Sequence, residues 1–178
     1  MEGVLTDEVS AALHPIYTHA FGPLRTRAAA RHMLSSDEFA AEMKDSRIDK
    51  YVVWNRHDEP VGLTTLTCDL SAIPWVSREY YESRYPDAAA AGQLFYLGYI
   101  LVDRRCRRSS AMIMMTSEVN RRLSLAHGVL GFDMCGYNDA TGIGRHAKQL
   151  LAASERIERL DTQSYYGADF RAPIAITP

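Results

Sequence analysis

The sequence contains few cysteines and no recognisable pattern of metal ligands. Its three cysteines, Cys68, Cys106 and Cys135, are far apart and form no C-x-x-C pair. An odd number at these spacings supports neither a disulfide framework nor a zinc site, so we expect reduced thiols. The six histidines also lack the H-E-x-x-H spacing that places two imidazoles over one ion, and we therefore expect no metal.

A strong excess of one charge is also absent, as is a hydrophobic run of membrane length. Lys and Arg number 20 against 22 Asp and Glu, a net charge of -2, which argues against general nucleic-acid binding. The longest apolar runs, such as residues 94–102, are far shorter than the roughly 20 residues that span a bilayer. The first residues carry acids where a signal peptide carries bases. We expect a cytoplasmic protein with no membrane or nucleic-acid partner, either monomer or homodimer.

The composition is that of an ordinary globular protein. Hydrophobic residues make up 47% and charged residues 24% of the 178 positions, enough to bury one sizeable core. We therefore expect one domain over residues 1–178. It begins with a helical segment, residues 1–35. It also contains a long excursion at residues 71–93, where Pro74 and Pro86 interrupt the regular pattern and one helix is expected.

Hydrophobic periodicity predicts an α/β fold with a mixed central sheet flanked by helices. In the first half it predicts a helix at 6–20, two short helices within 26–44, and a β-hairpin from 51–54 and 61–70. In the second half it predicts strands at 94–102 and 129–135, helices at 111–126 and 141–158, and one or two strands within 161–176. The strand, helix and strand from 94 to 135 should form a right-handed βαβ unit with parallel strands.

The junction between the strand at 94–102 and the following helix has the chemistry of an anion cradle. It carries Arg104, Arg105, Arg107 and Arg108, followed by two serines. Unpaired N–H groups and the helix dipole favour phosphate at such a helix start, whereas arginines there gain nothing from the dipole itself. We interpret the loop as a phosphate site; the alternative is a solvated surface loop.

The order of elements over roughly residues 36–170 resembles the GNAT superfamily of acyl-CoA-dependent N-acyltransferases. In that family a V-x-P strand end is followed by an R/Q-x-x-G-x-G/A loop. Val102 matches the valine and Arg107 the first loop position, while Arg104, Ser110 and Met112 replace the proline and the two glycines. The resemblance implies two splayed parallel strands that bind acetyl-CoA or another acyl-CoA.

The resemblance further implies transfer of the acyl group, most simply acetyl, to a primary amine or amino-acid-like acceptor by direct attack on the thioester. The implied donor-binding residues are Ile100, Leu101, Val102, Arg107, Arg108, Ser109, Ser110, Ala111, Met112 and Asn138. Two alternatives stay open. The donor could be an acyl carrier protein, as in GNAT-like N-acyl amino acid and acyl-homoserine-lactone synthases, or the domain could bind CoA without turnover.

Candidate catalytic groups follow from the same resemblance. A backbone N–H near residues 100–102 would bind the thioester carbonyl, and Asn138 would bind the pantetheine arm or simply cap a helix. Asp133 is the candidate base, with a solvated strand carboxylate as the alternative. Arg145 occupies the position where the family commonly has a tyrosine that acts as the general acid. The neighbouring His146 is therefore the candidate acid.

We assign acceptor binding to the excursion at residues 71–93, which is rich in aromatic and acidic residues, and to the strand at 94–102. Aromatic rings and carboxylates suit a cationic amine. The candidate residues are Glu79, Tyr80, Glu82 and Tyr99. The alternative is an amphipathic helix whose tyrosines pack on the hairpin.

Overall fold

A four-stranded mixed sheet is the centre of the protein. The computed structural model describes residues 1–29, 33–106, 110–142, 151, 154 and 156–167. The strands are β1 (Asp49–Trp54), β2 (Pro60–Thr67), β3 (Leu94–Val102) and β4 (Val129–Phe132). They lie in the order β1-β2-β3-β4, antiparallel except for the parallel pair β3 and β4. The predicted hairpin and the predicted parallel pair are therefore confirmed.

Six α-helices surround the sheet in the described part of the chain. They are α1 (Asp7–Phe21), α2 (Ser36–Lys44), α3 (Arg78–Arg84), α4 (Pro86–Ala90), α5 (Ala111–Ala126) and α6 (Gly136–Ala140). Short 3₁₀ helices lie at Gly22–Thr26, Leu70–Ala72 and Arg104–Cys106. Within the described residues no helix is both long and apolar enough to cross a membrane.

Local sequence explains where the first two helices begin. The Thr6 hydroxyl accepts a hydrogen bond from the Val9 N–H, which satisfies one of the free donors at the start of α1. Ser35 and Glu38 form a reciprocal capping box at the start of α2. These two helices then pack on one face of the sheet.

The two faces of the sheet carry separate apolar clusters. On one face, Leu13 of α1 and Phe39 of α2 pack against Leu63 and Leu101. On the opposite face, Met115 of α5 packs with Val61 and Val53. The sheet is therefore covered on both sides, and the open parts of the molecule lie at its strand ends.

Several predicted boundaries were wrong. Of the two helices expected within 26–44, the described residues contain α2 only: positions 27–29 and 33–35 are not helical, and 30–32 lie outside the described residues. The excursion holds two helices where one was expected. They separate at Tyr85 and Pro86, since a residue before proline is disfavoured in the helical conformation.

The C-terminal third differs most from the prediction. β4 ends at Phe132 and not at residue 135, because the chain turns away after Asp133 toward α6. Residues 141–142 and 156–158 of the predicted helix 141–158 are not helical, and Glu158 pairs both with Arg84 of α3 and with Arg156. Residues 161–167 form no strand; positions 143–150 and 168–178 lie outside the described residues.

One ion pair at the corner between α2 and β1 makes stability depend on acid pH. The Arg47 guanidinium donates to the Asp45 carboxylate at 3.0 and 2.5 Å, and this lowers the pKa of Asp45 to about 2. Because the pKa is lower in the folded than in the unfolded chain, the stabilisation is complete above about pH 4 and is lost as the pH falls through about 2. We expect Asp45→Asn to flatten the decline of unfolding free energy in that window, measured by urea titration at each pH.

Arg47→Gln is the matched partner variant, because it removes the same ion pair from the other side. It should flatten the acid decline to a similar extent. If both variants lost stability as steeply as the wild type between about pH 4 and pH 2, the Asp45 carboxylate would not be the group responsible.

Candidate functional site

A wedge opens between the two parallel strands. β3 and β4 are paired from Leu94 opposite Val129 to Leu97 opposite Phe132. β3 then continues to Val102, whereas β4 has ended. The wedge therefore lies at the carboxyl ends of parallel strands, the side of α/β sheets where ligands bind.

A β-bulge in β3 marks the start of the wedge. On the β2 side, Leu97 is opposite Leu66 and Ile100 is opposite Thr64, so that Gly98 and Tyr99 together face Thr65. Glycine is required at the first of these positions, since a Cβ on Gly98 would lie 2.5 Å from the Thr65 Oγ1.

The bulge changes which backbone groups of β3 point toward the wedge. The Val129 N–H donates to the Gln93 carbonyl. Before the bulge, the backbone N–H and C=O groups of odd-numbered β3 residues therefore point toward β4. After the bulge, the Asp103 N–H donates to the Val61 carbonyl, so the backbone N–H and C=O groups of odd-numbered residues now point toward β2. The N–H groups of Ile100 and Val102 therefore point into the wedge, and among the described residues no strand pairs with them there.

The end of β3 leads directly to the start of α5. Ser110 precedes this sixteen-residue helix and is exposed. Among the described residues, its Oγ contacts the Met114 Sδ at 3.6 Å and does not cap the first turn. Arg105 is held by Asp103 at 2.7 Å, and this hydrogen bond lowers the pKa of Asp103. Arg107, Arg108 and Ser109 lie outside the described residues. The described part of the loop thus presents a helix N-terminus beside the wedge.

A carboxylate and a tyrosine lie at the base of the wedge. Asp133 follows the last paired residue of β4 and is exposed. Its Oδ1 accepts a hydrogen bond of 2.6 Å from the hydroxyl of Tyr96, whose side chain is 2% exposed. Burial, with the nearby Asp133 charge, raises the pKa of Tyr96, so the phenol stays protonated and donates. Sequence reasoning missed Tyr96.

Tyr81 of α3 supports this pair. Its ring lies edge-on to the Tyr96 ring at 6.1 Å, and a Cβ on Gly131 would lie 2.7 Å from the Tyr81 ring. Gly131 therefore permits α3 to approach β4 closely. The sequence allows two interpretations of the excursion, an acceptor site or a helix whose tyrosines pack on the hairpin. The Tyr81 contacts are packing contacts, made with β3 and β4 next to the wedge.

The predicted acceptor residues of α3 are engaged in structural contacts. The Tyr80 hydroxyl donates to the Leu160 carbonyl at 3.1 Å. The Ser77 hydroxyl hydrogen-bonds to Glu79 at the helix start, and Arg78 pairs with Glu82 at 2.6 Å. Tyr80 thus fastens α3 to the segment 156–160, whereas the contacts of Glu79 and Glu82 are made at the start of α3 and within it.

Tyr99, the remaining predicted acceptor residue, lies beneath α1. It is 9% exposed, and its ring contacts those of Tyr17 and Phe21 with centroids 5.6 and 5.8 Å away. Burial and the neighbouring Glu42 raise the pKa of Tyr99, and burial raises the pKa of Glu42. Tyr99 therefore belongs to the packed wall between α1 and the bulge.

One contact joins the segment that follows the 3₁₀ turn Gly22–Thr26 to α6. The Arg27 Nη1 donates to the Tyr137 hydroxyl at 2.8 Å, and the guanidinium carbon lies 4.9 Å from the centre of the Tyr137 ring. The two residues are 110 positions apart, so no local pattern in the sequence indicates the contact. Arg27 follows α1, which packs on β2 and β3, whereas Tyr137 follows β4.

The other candidate residues are placed as follows. Ile100 and Val102 side chains pack on the α5 face, while Leu101 is buried on the α1 face. Ala111 is buried at the start of α5 and is followed by Met112.

Two of the candidates lie beyond β4. Asn138 is half-buried in α6, where its carbonyl accepts from the Thr141 hydroxyl, and His146 lies outside the described residues. In the described ranges, no three His, Cys, Asp or Glu side chains are grouped to hold a metal ion.

Comparison with known proteins rests on structure alone. No family model matches the chain, and no curated protein matches its sequence. It is similar to an aminoglycoside acetyltransferase, meta-AAC0020, from an uncultured soil metagenomic sample, solved with trehalose: TM-score 0.53, 12% identity, 93% of each chain covered. It is also similar to a tetramutant of the BH1408 protein from Bacillus halodurans: TM-score 0.55, 9% identity, covering 90% of this chain and 92% of that one. These likenesses show that the chain shares the fold of both proteins, and the expected α/β fold with a mixed central sheet is confirmed.

Proposed function

We propose that this protein is an N-acyltransferase that moves an acyl group from acyl-CoA to a primary amine. The observation that carries the proposal is the wedge, in which the bulge turns the N–H groups of Ile100 and Val102 toward an opening with no strand opposite them in the described residues. Such an unpaired strand edge can hydrogen-bond an extended, amide-containing chain as a further strand would. The pantetheine arm of CoA is a chain of this kind.

The start of α5 fits the phosphate end of the same donor. Ser110 and the first turn of α5 adjoin the carboxyl end of β3, so an arm lying along β3 would lead its phosphates to them. N–H groups of a first helical turn and the positive end of the helix dipole favour phosphate oxygens. Arg104, in the segment between β3 and α5, is exposed and lines a pocket with Thr18 and His19 of α1.

The proposed reaction is a direct transfer. The neutral amine attacks the thioester carbon, forming a C–N bond, while an N–H group of the open β3 edge stabilises charge on the carbonyl oxygen. The C–S bond breaks, and the thiolate takes a proton from water. Asp133, exposed at the base of the wedge, takes the proton that the amine nitrogen loses. Tyr96 fixes one oxygen of that carboxylate.

Two measurements test the proposal. CoA and acetyl-CoA are expected to raise the melting temperature by about 5–10 °C at 100-fold excess over their Kd, the shift for a chain of this size. Acetyl-CoA with a panel of primary amines should then release free thiol at a rate above hydrolysis. Stabilisation only by an acyl carrier protein would assign a different donor, and binding without thiol release would make the domain a non-catalytic module.

A substitution at the start of α5 separates donor binding from stability. Ser110→Asp places a negative charge where the phosphates are proposed to lie, so we expect the Kd for CoA to rise about tenfold. The same carboxylate is a good cap for the helix N-terminus, so the melting temperature of the ligand-free protein should stay equal or rise. Isothermal titration and thermal melting measure the two effects.

Ser110→Asn is the matched control, because asparagine caps as well as aspartate but carries no charge. It should bind CoA like the wild type. Equal affinity of the Asp and Asn variants would show that phosphate does not approach this turn.

A further inference from the structure

The contact between Arg27 and Tyr137 lies on the same side of the sheet as Asp133. α1 packs on the face that carries Leu101, opposite the face covered by α5. Asp133 is turned to that same α1 face, because it bonds Tyr96, which packs away from α5. Arg27 and Asp133 therefore lie on the same face of the sheet, and the contact with Tyr137 brings Arg27 to the segment that follows Asp133.

Arg27 keeps most of its hydrogen-bonding capacity. It is exposed, one Nη1–H group is used by the Tyr137 hydroxyl, and no carboxylate among the described residues pairs with it. A guanidinium has five N–H donors in a planar fork. The Tyr137 ring holds that plane by a cation–π contact, which leaves an edge with parallel donors for a bidentate anion.

We infer that Arg27 binds a carboxylate of the acceptor, so that the substrates are amines that also carry a carboxylate, such as amino acids. This inference rests on the proposed function. The planar guanidinium of Arg27 can bind one carboxylate through two parallel hydrogen bonds, while the amine of the same acceptor lies at Asp133. Tyr137 is four residues from Asp133, so their backbones are at most about 14 Å apart, and the acceptor must be small or extended. Tyr137 acts as the positioning residue for Arg27.

The experiment compares acids with their own amides as acceptors. Glycine, β-alanine, 4-aminobutyrate, 6-aminohexanoate and L-phenylalanine are each assayed beside the corresponding amide, with acetyl-CoA as donor. The wild type is expected to have a KM at least about tenfold lower for the best acid than for its amide, the selectivity of a bidentate charged pair. Arg27→Gln should raise the KM for the acid by the same factor and leave kcat and the KM for the amide unchanged.

Arg25→Gln is the matched control. Arg25 is an exposed arginine of the same segment, so the variant loses the same charge without altering the contact with Tyr137. It should keep the preference for acids. A similar loss in both variants, or a wild type that acylates acids and amides equally well, would overturn the inference.

Equilibrium binding separates this inference from the proposed function. If CoA binds but no amine is acylated, the proposed function fails, and the same acid and amide pairs are titrated calorimetrically into the CoA-saturated protein. Tighter binding of the acid, abolished by Arg27→Gln and kept by Arg25→Gln, would still support the carboxylate site. Absence of that difference would overturn it.

Discussion

Replacing Asp133 by asparagine is expected to lower kcat for acyl transfer by about 10²–10⁴, the range for loss of a positioned general base. Asparagine has nearly the same shape, and its amide oxygen can still accept the hydrogen bond from Tyr96. The variant therefore removes the proton acceptor while the base of the wedge stays in place. Steady-state kinetics with acetyl-CoA and the best amine acceptor measure the loss.

Three accompanying measurements define what that loss means. The Kd for CoA should be unchanged, because Asp133 is not proposed to touch the donor. The melting temperature should stay close to that of the wild type, because the asparagine oxygen still accepts from Tyr96. Asp58→Asn is the control for loss of one exposed acid: Asp58 lies in the hairpin turn at φ 56°, a conformation that asparagine accepts readily. A fall in kcat of less than about fivefold for Asp133→Asn would indicate that solvent, not Asp133, accepts the proton.

The parts of the fold that the sequence predicts well are those set by local patterns. The strand at Leu94–Val102 and the helix at Ala111–Ala126 have the predicted bounds, because each is an unbroken apolar pattern with polar residues at both ends. The end of β4 depends instead on contacts made far away in the chain. Asp133 leaves the strand direction and bonds Tyr96, and nothing near Asp133 in the sequence indicates that partner.

The site shows the same division between local and distant causes. The strand, the start of α5 and Asp133 are all indicated by sequence, whereas the bulge depends on the opposition of Gly98 to Thr65 across two strands. The aromatic and acidic character of α3 is visible in the sequence, yet the Tyr80 hydroxyl is bonded to the Leu160 carbonyl and Glu82 is paired with Arg78. Residue type alone does not distinguish a substrate contact from a contact within the chain.

Gly98→Ala is expected to damage the site through the bulge. The added Cβ would lie 2.5 Å from the Thr65 Oγ1, and Thr65 is itself buried, so either the Thr65 side chain must rotate within the packed sheet or one of the two strands must shift. Overpacking of this kind costs about 1–3 kcal/mol of unfolding free energy. Because the bulge directs the Ile100 and Val102 N–H groups, the shift should also lower kcat by about 10²–10³, the effect of losing one oxyanion donor. Urea unfolding and steady-state kinetics measure the two losses.

A second substitution tests whether the clash itself is the cause. Thr65→Ala removes the Oγ1, and the remaining Thr65 Cβ would be 3.7 Å from the new Cβ at position 98, an ordinary contact. The double variant should therefore recover most of the stability and activity lost by Gly98→Ala, whereas Thr65→Ala alone should have nearly wild-type kcat. If the two losses were simply additive, the space opposite Thr65 would not control the bulge. If stability recovered without activity, the backbone edge formed by the bulge would not be where the thioester is activated.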